Sequence, residues 1–468
     1  MNPATQSFRD HLSRLDQAGE LLTLSQPVSP EFELGACLSI LDDGPALQFA
    51  DVVGSDLPVV GNILNSRERM AAALGLDVAD IEDAIAASAT APIQPRIGEQ
   101  APWQEISAPT DFGKLPVPSF FERETGPYIT AGVILARDVI SGERNMSYAR
   151  FKLLGQDTAM LGVSPNHHLG QMVARAVSAG RRLPIAVALG NHPAVMLAAC
   201  LYLNFGDDEA ACAGALLGEP LAMVPSPVHR IPVPAGSEIV FEAEVDGSQL
   251  VEEGPVSEFH GLYHEYGKGF RTHFGMCSRR RDARFQVILP GLHQEHVLLG
   301  GVAIAAALKA RLRTRIPNVA AVAVPDTGAG RLSAVVALRD ARPGQAQQVI
   351  MACMSDVPLI KQVVVVDDDI DVWNTKAVEW ARMTRVRPER DILVIPNAKT
   401  DRSDPLQVDS TVGKLGIDGT SKPGDRKEGF GLSRAPVRAL EQAARLLGDT
   451  CADGPRQSLR SGIRGFWS

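Results

Sequence analysis

The sequence predicts a multidomain chain of mixed α+β and α/β class, α/β at both ends and strand-rich in the middle. Three observations carry that prediction. Prolines 92, 95 and 102 punctuate the stretch Ala89 to Pro102 and mark a linker after a first region. Segments of strand composition then follow one another between residues 133 and 289, with few helices between them. From about residue 300, strands and helices alternate, as in a separate α/β domain. The expected divisions are 1–100, 101–300 and 301–468.

In the first region, Phe8, Leu12 and Leu15 recur at helical spacing, and Gly19 ends the helix they define. Pro58-Val-Val-Gly-Asn-Ile-Leu-Asn reads as a short buried strand, Ser66 as the cap of a following helix, and Asp77 to Ala87 as another helix. In the middle, strands are expected at 133–139, 146–154, 158–163, 184–189, 238–245 and 286–289, with helices at 169–180 and 195–202. That order suggests a barrel-like sheet with helices outside it. In the last region a helix over Val302 to Arg313 precedes strands at 319–324 and 332–338, a helix over Gly344 to Met354 and a strand at 362–366. Asn397 to Gly429 reads as a long loop and Ala435 to Leu447 as a final helix.

Bulk properties narrow the function. A net charge of −9 argues against broad binding to nucleic acid or an anionic membrane. No apolar run of about 18 residues is present, so no membrane span is expected. The polar N-terminus lacks a signal-peptide core, and the six cysteines lack C-x-x-C spacing. A cytoplasmic protein with reduced thiols is expected.

The chemistry begins at Glu253-Gly-Pro-Val-Ser-Glu258. Glycine and proline favour a tight turn, which can aim both acids into one pocket. Two carboxylates there cannot both ionise freely, and one that keeps its proton is a general acid. Asn145 and Arg150 lie five apart on a strand-like segment, which puts them on opposite faces unless a bulge intervenes. Gly162-Val-Ser-Pro-Asn-His167-His168 is a polar loop, and Asp207-Asp208-Glu209 opens a small-residue helix. Asn145, His168 and Glu209 form a hard oxygen and imidazole donor set suited to Mn²⁺ or Mg²⁺.

Taken together, these motifs resemble the UbiD-type decarboxylases, which use prenylated FMN. The resemblance runs from about residue 8 to about 420 and rests on six motifs in order. They are Asn145 to Arg150, the loop ending at His168, Asp208 to Leu216, Glu253 to Glu258, Val364-Val-Val-Asp-Asp-Asp-Ile-Asp and Lys414-Leu-Gly-Ile-Asp. It implies a central split-β-barrel flavin-binding domain, flanked by an N-terminal α/β region and a C-terminal α/β oligomerisation domain. It also implies reversible decarboxylation of an unsaturated, aromatic or heteroaromatic acid, with release of CO₂. Arg150, Glu253 and Glu258 are the implied catalytic network, with Glu258 the proton donor. Asn145, His168 and Glu209 are the implied metal ligands. Tyr148, Ala149, Gly162, Val163, Ser164 and His167 would line the flavin, and Lys361 would bind its phosphate. A K⁺ ion would rest on carbonyls near Ala222 and Met223. A flavin prenyltransferase would supply the cofactor, and the protein would form a homodimer or larger homo-oligomer.

The chain departs from the usual family pattern at Pro255-Val-Ser-Glu258 and at Pro290-Gly-Leu-His-Gln-Glu-His296. The second departure falls where substrate is contacted. His260, His264, His293 and His296 crowd these segments, and His293 and His296 are the expected substrate contacts. They suggest a furan- or pyrrole-type acid or a dicarboxylate; a phenolic, polycyclic or acrylic-type acid is the alternative. A catalytically silent flavin-binding protein and a metal-dependent hydrolase built on His168 and Glu209 are readings from other classes. A flavin reductase ranks last, because no G-x-G-x-x-G follows a strand.

Overall fold

The computed structural model describes residues 6–422 and 435–450. The chain divides into two compact units. One runs to Arg311 and takes in Val324–Leu332 and Asp401–Ser410; the other holds Leu312–Ala323, Ser333–Thr400 and the described residues from Thr411 onward. The expected boundary near 300 therefore falls inside a helix, and the last unit returns two short segments to the first.

The first unit opens with α1 (Phe8–Gln17), β1 (Leu21–Leu24), α2 (Glu33–Ile40), β2 (Ala46–Phe49), β3 (Val59–Gly61), α3 (Arg67–Leu74) and α4 (Ile81–Thr90). Ser7 and Ser66 cap α1 and α3 through their hydroxyls, each accepting a backbone N–H three residues on. Phe8, Leu12 and Leu15 are buried on one face of α1, as their spacing predicts. The expected linker is partly ordered: β4 (Arg96–Ile97) pairs in parallel with a later strand at 222–223.

The central region holds β5 (Ile106–Pro109), β6 (Tyr128–Ile129), β7 (Val133–Arg137), β8 (Arg144–Tyr148), β9 (Arg150–Leu153), β10 (Thr158–Gly162), α5 (His168–Ser178), β11 (Leu183–Leu189), α6 (Pro193–Ala198) and α7 (Glu209–Leu217). It continues with β12 (Ala222–Pro225), β13 (Pro232–Pro234), β14 (Ile239–Glu252), β15 (Pro255–Ser257), β16 (Tyr263–Glu265), β17 (Lys268–Arg279), β18 (Phe285–Gln286) and α8 (Gln294–Arg313). The strand expected at 286–289 does not join the central sheet. β18 pairs in parallel with β3 and completes the order β1-β2-β3-β18. The N-terminal sheet thus needs a strand from far along the chain.

The nine-stranded central sheet runs β6-β9-β10-β17-β14-β11-β7-β8, with β5 on β17. No ladder closes it into a ring among the described residues. It is nevertheless strongly curled. β8 and β9 lie six places apart in this order, yet only Ala149 separates them in the chain. A flat sheet would hold them roughly 29 Å apart at about 4.8 Å per strand, whereas two Cα–Cα steps span at most about 7.6 Å. Beneath the sheet Phe274 meets Phe112, Phe151 and Phe241 at ring-centroid distances of 5.0, 5.2 and 5.7 Å. β17 escapes sequence reading because its buried positions include Gly269, Thr272 and Ser278, which carry no apolar signal.

The second unit's sheet has the order β19-β20-β21-β23-β22, made of β19 (Val319–Ala323), β20 (Ser333–Leu338), β21 (Gln362–Asp367), β22 (Ile392–Lys399) and β23 (Thr411–Asp418). Its helices are α9 (Gln345–Asp356), α10 (Thr375–Arg385), α11 (Pro388–Asp391) and α12 (Val437–Thr450). β22 and β23 correct the expected loop from 397, whose residues from 423 to 429 lie outside the described residues. The strands were hidden because one edge of the sheet is wet: β22 is largely exposed, and Lys414 is buried in β23 with its ammonium on the carbonyls of Met354 and Pro358. Among the described residues no helix is long and apolar enough to cross a membrane.

Candidate active site

The two acids sit on the connection between the longest strands, β14 and β17. Gly254 bends the chain there with φ +79°, and a Cβ on it would lie 3.0 Å from the Thr125 hydroxyl. Beyond the bend β15 is extended and pairs antiparallel with β16. The expected tight turn is therefore one glycine hinge followed by a strand, with Glu253 and Glu258 at either end.

Arg150, the first residue of β9, stands between the acids. Its Nε donates to Glu253 Oε1 at 2.6 Å and its Nη2 to Oε2 at 2.8 Å. Its Nη1 lies 3.7 Å from Glu258 Oε1. Glu253 is only 1% exposed, so the bidentate pair is its compensation for burial. The carboxylates do not face each other directly; one guanidinium separates them. On β10, Gly162 is the register partner of Arg150, and a Cβ there would fall 3.1 Å from Arg150 Nε and 3.2 Å from Glu253 Oε1. The glycine is what lets the ion pair lie flat on the sheet.

Several neighbours were not legible in the sequence. Lys152, two residues beyond Arg150, donates to the Glu253 carbonyl and, at 2.7 Å, to Thr125 Oγ1. Burial lowers its pKa. Glu124 Oε1 accepts the Ser257 N–H at 3.2 Å, and burial raises the Glu124 pKa. The Tyr266 ring lies under Arg150 at 5.0 Å and under Arg402 at 4.7 Å. Burial, and then the charge of Glu258, push the Tyr266 phenol up. Strand alternation from Arg150 points to Lys152; no local signal marks Glu124, Tyr266 or Arg402.

Asn145 and Arg150 do not share a strand, because the ladder breaks at Ala149. Asn145 lies on β8, against which α5 and α7 both pack. His168 is the first residue of α5 and Glu209 the first of α7. Asn145 gives its amide N–H to Ser147 Oγ at 2.8 Å, which leaves Oδ1 uncommitted among the described residues. Glu209 Oε2 accepts the Met146 N–H at 2.9 Å. The His168 ring meets the Phe205 ring edge-on at 5.3 Å. Burial raises the Glu209 carboxyl to about 7, with backbone N–H groups its only opposing influences. A cation is the charge this buried acid lacks, so the donor set fits a hard divalent ion. Among the described residues no three His, Cys, Asp or Glu side chains gather to hold a metal, so the amide of Asn145 would be needed. Asn145 also lines a cavity of about 380 Å³ with Arg137, Arg144 and Arg230.

The remaining expected residues divide. Tyr148 ends β8 with its hydroxyl buried and unpartnered, and Ala149 is the link to β9. Val163, Ser164 and the exposed His167 form the loop between β10 and α5. That loop is held close because a Cβ on Gly170 would sit 2.3 Å from the Ser164 carbonyl. His167 occupies the N-cap position without a side-chain capping bond. The carbonyls of Ala222 and Met223, where the potassium ion was expected, accept the N–H groups of Ala235 and Gly98 at 2.8 and 2.7 Å, which leaves each oxygen a second lone pair. Lys361 belongs to the second unit, just before β21.

The histidines also divide. His260 Nδ1 accepts the Leu262 N–H at 3.2 Å, and His264 packs on Tyr266 at 4.3 Å. His293 stacks on Phe121 and lies 3.5 Å from Asp42. His296 Nδ1 lies 3.0 Å from the Gly291 carbonyl and must donate to it. Burial, and then the charge of Arg331, lower the His296 pKa to about 4, so the ring is neutral near pH 7. Its Nε2 is then an acceptor.

Three family models match the chain in succession. They are the N-terminal domain of 3-octaprenyl-4-hydroxybenzoate carboxy-lyase over residues 12–88, its Rift-related domain over 96–293 and its C-terminal domain over 297–419. The chain is similar to an anhydromevalonate phosphate decarboxylase of Methanosarcina mazei, 33% identical over 417 residues that cover 88% of this chain and 96% of the relative. The structure is similar to that of the UbiD-class enzyme HmfF of Pelotomaculum thermopropionicum in complex with FMN. That likeness has a TM-score of 0.90 and 33% identity over 93% of this chain and 99% of the other. An evolved dimeric form of HmfF, in complex with prenylated FMN, gives 0.85 and 32% over 93% and 98%.

Proposed function

The chain belongs to the UbiD family and is a UbiD-class decarboxylase; from that premise we propose that it removes CO₂ reversibly from an unsaturated, aromatic or heteroaromatic acid, with prenylated FMN as cofactor. The observation that carries this reading is the guanidinium of Arg150 lying between Glu253 and Glu258 over Gly162.

The flavin supplies the electron sink for the charge left by departing CO₂. Arg150, held flat by Glu253, meets the substrate carboxylate with its Nη1 edge. Glu258 stands on the same edge, is partly open to solvent, and delivers a proton to the carbon that CO₂ leaves. Lys152 and Thr125 hold the backbone at Glu253, so the acids keep their spacing as charge shifts. Asn145, His168 and Glu209 hold Mn²⁺ or Mg²⁺, which offsets the flavin phosphate. Tyr148, Ala149, Gly162, Val163, Ser164 and His167 line the flavin. K⁺ rests near the flavin phosphate, on backbone carbonyls around Ala222 and Met223. His296, with Nε2 as acceptor, favours a substrate bearing a ring N–H, as in a pyrrole-type acid, over a furan oxygen.

The curled central sheet is read as a split barrel, within a division at 1–100, 101–300 and 301–468. A cytoplasmic homo-oligomer that receives its flavin from a prenyltransferase completes the proposal.

The test is a panel of aromatic, heteroaromatic and acrylic acids on protein loaded with prenylated FMN and Mn²⁺, read by CO₂ release and by deuterium exchange at the ring carbon. Turnover of at least one acid that vanishes without the flavin is expected. Turnover that survives flavin removal with metal retained overturns the reading in favour of a metal-dependent hydrolase.

A further inference from the structure

Arg331 lies in the first unit, on the segment Val324–Leu332. Its Nη1 is sealed from solvent without a hydrogen-bond partner, and no carboxylate pairs with its guanidinium among the described residues. Arg331 is partly buried, but a guanidinium N–H sealed from water without an acceptor is costly, and proteins rarely keep one idle.

Its position is specific. A Cβ on Gly300 would fall 2.4 Å from both Nη atoms. Glycine inside a helix such as α8 is unfavourable in itself, and here it makes room for the guanidinium. His296 lies one turn before Gly300 on the same face of α8. Arg331 Cζ stands 5.2 Å over the ring of Phe259, the residue after Glu258. A Cβ on Gly291, whose carbonyl accepts the His296 ring N–H, would lie 3.8 Å from the Glu258 carbonyl. Arg331, His296 and Phe259 therefore gather beside the proposed proton donor.

We propose that Arg331 is the receptor for a second anionic group on the substrate, remote from the carboxylate that leaves. This rests on the decarboxylase reading above and narrows its substrate to a dianion. A planar guanidinium fork suits a carboxylate or a phosphate ester, and a full charge is needed to balance it; a flavin carbonyl offers only a dipole. Neutral His296, with Nε2 as acceptor, cannot take over that role.

The experiment compares wild type, Arg331→Gln and Arg331→Lys, all loaded with prenylated FMN and Mn²⁺, on matched substrates. One pair is furan-2-carboxylate with furan-2,5-dicarboxylate and another pyrrole-2-carboxylate with pyrrole-2,5-dicarboxylate. A third is an unsaturated hydroxy acid with its phosphate ester, which separates phosphate from carboxylate recognition. Wild type is expected to prefer the dianion of at least one pair. Arg331→Gln should cut kcat/KM for that dianion about 100-fold, the size expected for loss of a buried charge partner, leave the mono-acid nearly unchanged, and be partly rescued by lysine. Equal losses on both members of every pair, no preference in wild type, or loss of flavin from Arg331→Gln each overturn the inference. If no acid is turned over, the decarboxylase reading fails on its own. Calorimetric binding of the unreactive tetrahydrofuran-2,5-dicarboxylate then decides on Arg331: binding weakened in Arg331→Gln supports it, and absent or unchanged binding overturns it.

Discussion

Two arginines frame the acid pair, and the protein treats them differently. Arg150 is saturated: Glu253 takes two of its N–H groups, Glu258 lies within 3.7 Å, and Tyr266 covers a face of its guanidinium. Arg331 lies over Gly300 and Phe259 with a buried Nη1 and no acid partner among the described residues. A cation whose charge is balanced within the fold stabilises that fold and positions its neighbours. A cation left unbalanced is held at the expense of stability and is ready for a ligand. The contrast also explains two glycines, since Gly162 and Gly300 are each the space a guanidinium occupies.

The largest effect expected is at Glu258. Glu258→Gln should lower kcat about 10²- to 10⁴-fold, the range for loss of a general acid, with flavin content and melting temperature nearly unchanged. Near-normal turnover would remove Glu258 as proton donor. Next, Arg150→Gln should cost about 2–3 kcal/mol in chemical unfolding, below the full value for a buried pair because Arg150 is a quarter exposed. Arg331→Gln should do the reverse and raise stability slightly, because it removes an Nη1 group sealed from water without an acceptor. Equal destabilisation by the two substitutions would mean that the two arginines do not differ in this way.

The pH dependence of stability tests the seat of α8. Glu295 accepts the N–H groups of Ile63 and Leu64 at 3.1 and 3.0 Å and ties the start of that helix to the end of β3. Burial raises its folded pKa from 4.5 to about 7. Below 4.5 both folded and unfolded chains keep the proton, so nothing is lost. Between 4.5 and 7 the unfolded chain ionises first, and stability falls as pH rises. The fall from this residue is about 3 kcal/mol at most, at about 1.4 kcal/mol per unit. Glu295→Gln should flatten that part of the curve between pH 5 and 7.5 in urea titrations. A curve superimposable on that of wild type would exclude Glu295 as a source. The smallest effect is at Gly162→Ala, where the added methyl should displace the Arg150–Glu253 pair and lower kcat about tenfold, or ~1.4 kcal/mol of barrier, with little change in unfolding.

The acid motif and most elements with a strong apolar period were legible in the sequence, because those signals are local. α1, α3, β7, β10, β11 and α9 lie close to where periodicity and caps put them. What was not legible came from distant pairing. β17 hides its role behind small polar residues, β18 leaves the middle of the chain to finish the first sheet, and 401–410 returns from the last unit to bring Arg402 over Tyr266. Two carboxylates five residues apart suggested one shared proton. The fold sets Arg150 between them, the network the family resemblance implied, through a contact across more than a hundred residues of sequence that no local spacing marks.

By itself the sequence determined the residue types, their order and the family, because chemistry and short-range periodicity are written in neighbouring positions. Only the tertiary structure decided which cation is neutralised and which is left waiting. That depends on which side chains meet after the sheet curls and α8 docks, and on how far burial raises the cost of each charge left unpaired.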